Sequence, residues 1–117
     1  MAGEGLVGRE LKLGTLEMLL LQLLARGETY GYQLAAAVES RLGPEWQLKE
    51  GTLYPVLYRL EDAGLVATRW QTLEQRGVPR KYYRLTAAGA SRLAELVAEW
   101  RAFTAAVERV LQGEDQQ

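Results

Sequence analysis

Residues 51–71 read GTLYPVLYRLEDAGLVATRWQ, and the apolar period changes within them. Leu53, Val56, Leu57 and Leu60 recur at i, i+3, i+4 and i+7, the spacing of one face of a helix. That helix is expected within Gly51 to Ala63, and Pro55, tolerable only in a first turn, requires it to begin only a few residues earlier. Gly64 ends it. From Leu65 to Gln71 the period becomes two and β-favouring residues take over, and a second such run follows from Lys81 to Thr86. The polar loop between them contains Gly77 and Pro79, so the pair reads as a β-hairpin with an arginine-rich tip.

Two helices precede this unit. Leu13, Leu16, Leu19, Leu20, Leu23 and Leu24 form a helical stripe closed by Gly27, with Met18 and Leu21 adding apolar surface off the stripe. A helix so apolar all round needs cover on more than one side, which a partner subunit would supply. Thr29 is a candidate cap for a second helix through Leu34, Val38 and Leu42, stopped at Gly43-Pro44. After the hairpin, Thr86 is placed to cap a long last helix running to about Leu111. Its apolar seam, Leu93, Leu96, Trp100, Phe103, Val107 and Val110, is spaced 3, 4, 3, 4, 3, which is the a/d spacing of a coiled coil. The seam is expected to form a dimer interface, with packing on its own domain as the competing use.

The expected fold is mainly α with a small β-hairpin. It divides into a flexible N-terminus (1–10), a winged helix-turn-helix (11–86), a C-terminal dimerisation helix (87–112) and a flexible tail (113–117). In such an arrangement the third helix lies in the major groove and the hairpin reaches neighbouring backbone or minor groove. With four aliphatic residues facing the core, Thr52, Tyr54, Tyr58 and Arg59 are left to meet phosphates or base edges. Charge supports this reading. The chain of 117 residues carries a net charge of −1, yet residues 44–85 hold seven basic and five acidic side chains, with Arg76, Arg80, Lys81 and Arg84 packed into nine positions. The field that attracts a phosphate backbone is local at physiological screening lengths, so distribution counts for more than the total.

Other classes of function lose their chemistry. Without cysteine or histidine there is no thiol nucleophile, no disulfide, and neither of the commonest metal ligands. Neighbouring acids such as Glu61-Asp62 point apart on a helix, so no enzyme, cofactor or metal site is expected. The longest apolar stretch is far short of the ~20 residues of a membrane span, and the start lacks the order of a secretory signal, so a cytoplasmic protein is expected. The alternative is a winged-helix module that binds protein without binding DNA.

The run from Gly51 to Leu65, the run Arg80-Lys-Tyr-Tyr-Arg-Leu-Thr86 with Gly89, and Tyr30-Gly-Tyr-Gln-Leu34 together resemble the PadR family of transcriptional regulators over about residues 11–111. The short last helix is similar to that of its compact branch. The resemblance implies a homodimeric repressor on a two-fold symmetric operator, released by an effector. It implies DNA contacts at Tyr32, Lys49, Thr52, Tyr54, Pro55, Tyr58 and Arg59, and at Arg76, Arg80 and Lys81 in the wing. Compact members bind aromatic drugs at the dimer interface beside a tryptophan, and Trp100 falls at that position, with Met18 and Val97 nearby.

Overall fold

The computed structural model describes residues 6–72 and 77–113. Four helices and a small sheet follow the expected order: α1 (Leu6–Leu24), β1 (Thr29–Tyr30), α2 (Gly31–Leu42), a 3₁₀ turn (Pro44–Trp46), α3 (Glu50–Asp62), β2 (Val66–Thr72), β3 (Pro79–Leu85) and α4 (Ala87–Leu111). The architecture is a winged helix-turn-helix carrying a long C-terminal helix.

The core lies where the apolar faces of α1, α2 and α3 meet the base of the hairpin. Leu16, Leu20, Leu21 and Leu24 of α1, Leu34 and Val38 of α2, and Leu53, Val56, Leu57 and Leu60 of α3 are buried together with Leu48, Val66, Tyr83 and Leu93. Each buried aliphatic side chain of this size contributes about 1.5–3 kcal/mol from removal of apolar surface from water. This cluster therefore fixes the orientation of α3. The same four aliphatics that set the helical period leave the opposite face of α3 to solvent.

Three local features differ from expectation. α1 begins at Leu6, inside the stretch assigned to a flexible N-terminus, because extending an existing helix adds a hydrogen bond for each residue fixed and escapes the cost of nucleation. Thr29 does not cap α2. It lies in β1, and Tyr30 occupies the cap position without a side-chain hydrogen bond. The sheet thus has three strands in the order β1-β3-β2, with Thr29 opposite Tyr83 and Tyr30 opposite Tyr82. A strand of two residues has no period to read, and it exists because β3 offers its free edge. Pro55 is the sixth residue of α3 and lies in the second turn. Having no N–H, it cannot bond the carbonyl of Gly51, whose residue is exposed to water.

The hairpin register pairs Val66 with Leu85, Thr68 with Tyr83 and Trp70 with Lys81. Thr86 caps α4 as its position suggested: its hydroxyl accepts from the Gly89 N–H at 3.0 Å and donates to the Gly64 carbonyl at 2.7 Å. Gly89 has a second role, because a Cβ there would collide with the Leu65 carbonyl and lie 2.7 Å from Leu85 Cδ1. The absent side chain lets α4 press on the start of the hairpin. Arg92 Nε, 3.4 Å from Glu17, ties the same end of α4 to α1.

Beyond that anchored end α4 leaves the core. Phe103, Val110 and Leu111 are 60%, 78% and 72% exposed. The radius of gyration is 16.8 Å, against about 13 Å for a compact domain of this length. Among the described residues no helix is long and apolar enough to cross a membrane, and no group of three or more carboxylates is placed to hold a metal.

Candidate nucleic-acid interface

The exposed face of α3 and one face of the hairpin form a continuous surface. Lys49 immediately precedes the helix, and Pro55, Tyr58 and Arg59 are exposed along it. Thr52 is half-buried. Tyr32, 72% exposed, extends the surface from the start of α2. Between helix and hairpin runs a groove of about 580 Å³ walled by Tyr30, Tyr54, Tyr58, Trp70 and Arg80. Aromatic rings with hydroxyls at their rims, beside a guanidinium, suit a sugar-phosphate backbone: the rings pack on sugars while the polar tips bond phosphate oxygens.

Tyr54 is less free than its place in the period suggested. It is half-buried and packed on the core, with its hydroxyl against the backbone of Gly31, where any Cβ would collide. Burial, reinforced by Glu50 and Tyr58, pushes its phenol above the ordinary value, so it stays protonated and able to donate at neutral pH. Its ring centroid lies 6.4 Å from that of Tyr58, one turn on. Tyr83, at the base of the groove, is fully buried, and burial, with Tyr54, Tyr58 and Glu61 nearby, pushes its phenol up to about 12.

The hairpin cations divide into held and free. Arg69 makes two 2.8 Å bonds to Glu28, joining β2 to the segment before β1, and lies over the Tyr82 ring at 4.8 Å. The hydrogen bond from Arg69 holds the Glu28 carboxyl below the usual carboxylate range. Tyr82 meets Tyr30 edge to face at 5.5 Å, and the Arg80 guanidinium lies over the Tyr30 ring at 4.0 Å. Arg80 is thereby steered, and no carboxylate among the described residues neutralises it. Lys81 is neutralised, since its Nζ lies 3.0 Å from Glu61 Oε1. Arg84 is exposed, and Arg76 lies outside the described residues.

Reasoning from sequence passed over Trp70, Glu61 and the Glu28–Arg69 pair. Trp70 is 64% exposed and stands opposite Lys81 in the register. Aligning the two hairpin runs would have put it on the groove side. The carboxylate partners of Arg69 and Lys81 come from other elements, and no local spacing signals them.

The residues assigned to an effector are partly brought together. Met18 and Trp100 share two adjoining grooves of about 210 and 250 Å³, the second apolar and completed by Leu11, Leu19, Leu42 and Trp46. Val97 lines a different depression with Leu93 and Ala94. In the seam of α4, Leu93 is buried, Leu96, Trp100 and Val107 are half-buried, and Phe103 and Val110 are open to solvent.

Comparison with known proteins bears on the fold and the family. The model of the transcriptional regulator PadR-like family matches residues 20–95. The chain is 34% identical over 87 residues to the transcriptional regulator Rv3488 of Mycobacterium tuberculosis, covering 74% of this chain and 77% of that one. It is 33% identical over 78 residues to the negative transcriptional regulator PadR of Bacillus subtilis, covering 67% of this chain and 42% of that protein. A PadR family transcriptional regulator from Eggerthella lenta superposes with a TM-score of 0.78 at 38% identity, covering 87% and 86% of the two chains. The chain belongs to the PadR-like family of transcriptional regulators, and is a DNA-binding regulator and not an enzyme.

Proposed function

We propose that the protein is a homodimeric repressor that grips a two-fold symmetric operator, with α3 of each protomer in a major groove and each wing on the adjoining backbone. The observation that carries this reading is the division of α3: four buried aliphatics lock one face to the core, while Lys49, Pro55, Tyr58 and Arg59 stand free on the other, beside the aromatic groove and Arg80. Dimerisation is supported by the open apolar half of α4, because a stripe containing Phe103, Val110 and Leu111 is costly to leave in water. A bacterial negative regulator among the relatives supports repression. Regulation of transcription by this family places its action, in this reading, in the cytoplasm.

An aromatic cation seated against Trp100 is the proposed releasing effector. The apolar groove around Met18 and Trp100 lies at the foot of the seam, Glu99 lines the neighbouring groove, and an indole face attracts both stacked rings and positive charge.

Two titrations test the two parts. Operator affinity is expected to fall linearly in log–log form with salt, by about 0.9 per phosphate contact, whereas a protein-binding module would give no such slope. At fixed salt, planar cations that quench the fluorescence of a variant retaining only Trp100 are expected to weaken operator binding. Quenching with unchanged operator affinity would remove the effector from the account and leave the rest.

A further inference from the structure

The hairpin looks more basic in sequence than it is in space. Of its described cations, Arg69 is bound by Glu28 and Lys81 by Glu61, so two positive charges are answered inside the protein. The second pair has the more telling geometry. Glu61 stands near the end of α3 and accepts from two strands at once: Oε1 from Lys81 Nζ of β3 at 3.0 Å, and Oε2 from Thr68 Oγ1 of β2 at 3.0 Å. A single carboxylate thus joins the recognition helix to both arms of the wing.

Lys81 is correspondingly enclosed. Its side chain is 21% exposed, and its ammonium lies 5.3 Å from the Tyr58 ring, 5.5 Å from Tyr83 and 5.9 Å from Trp70. A lysine placed for phosphate would extend a hydrated ammonium into solvent. This one is aimed back at α3, with aromatic faces on three sides and a carboxylate as counter-ion. Glu61 meanwhile puts negative charge beside the surface that must approach DNA, and among the described residues Lys81 and Thr68 bond its carboxylate there.

We propose that Glu61 is a specificity-determining residue that keeps Lys81 off the DNA backbone, so that Lys81 sets the wing against α3 and adds no sequence-independent affinity. The inference rests on the DNA-binding reading above. Its physical basis is that phosphate contacts strengthen binding to every sequence alike, so a cation held internally lowers random-DNA affinity and leaves discrimination to α3. Glu61 and Lys81 together present no net charge to the phosphates. Glu61→Gln preserves shape and the Thr68 bond but leaves a net positive charge in each protomer.

The test measures the salt slope on random DNA for the wild type, E61Q, K81M and the double variant E61Q/K81M, each shown by circular dichroism to be folded at the assay temperature. E61Q is expected to bind random DNA several-fold more tightly at low salt. It should steepen the slope by about 0.9 for each protomer whose lysine gains a phosphate, and lower the ratio of operator to random affinity. In the K81M background the same substitution should give no added slope. Three results would overturn the proposal. The slope could stay unchanged in E61Q, the gain could persist without Lys81, or K81M alone could reduce the wild-type slope by a full contact. A wild type whose DNA binding ignores salt would instead sink the reading beneath it, which the other results leave standing.

Discussion

Replacing both Phe103 and Val107 by glutamate is expected to leave the protein monomeric and to reduce operator binding by a thousandfold or more. The two positions lie one helical turn apart on the part of α4 that has left the core, Phe103 open and Val107 half-buried. In a two-fold interface each substitution occurs twice, so four carboxylates would enter an apolar seam that offers no counter-charge. Burying an unpaired charge costs several kcal/mol, and about 4 kcal/mol already weakens association by about a thousandfold. The core cluster does not include either residue, so the winged-helix domain should remain folded. Sedimentation and circular dichroism on the same sample separate the outcomes. A folded monomer supports the account, an unchanged dimer removes α4 from the interface, and an unfolded chain would show that the domain depends on its partner.

The second large effect is expected at Arg59. Its side chain is exposed on the outer face of α3, and among the described residues no carboxylate bridges it, in contrast to Arg69 and Arg92. A guanidinium so placed is the group best shaped for two bonds to a guanine edge, and Arg59→Ala should cost about 1–3 kcal/mol per protomer at the operator, roughly 5- to 150-fold. Arg80→Ala should behave differently. Held over Tyr30 at the rim of the groove, Arg80 is positioned for backbone, so its loss should weaken operator and random DNA by similar factors and lower the salt slope. Competition binding with both DNAs reads the two patterns. Equal losses from both variants would refute the division of labour between helix and wing.

The fold was legible wherever a period was long enough to carry it. The i, i+3, i+4, i+7 spacing of Leu53, Val56, Leu57 and Leu60 is the spacing of buried side chains in α3, and the switch to period two at Leu65 falls one residue before the hairpin begins at Val66. The Thr86 cap was equally readable, because its chemistry is local to three residues. Features that depend on residues distant in the chain were not. β1 exists only because β3 offers an edge, and Gly89 is needed because the Leu65 carbonyl comes close to it in space. The site follows the same rule. Tyr58 and Arg59 could be placed on the outer face by counting turns, whereas Tyr54, one turn earlier, is partly withdrawn by its contact with Gly31. Lys81 looked like a free cation because its partner, Glu61, lies 20 residues away on another element.

Hydroxyl-radical footprinting of the wild-type protein on its operator measures the proposed geometry of the two α3 helices. Two protected tracts related by two-fold symmetry, on one face of the duplex with centres about 34 Å apart, are the predicted result. A single tract, or two in tandem orientation, would contradict it.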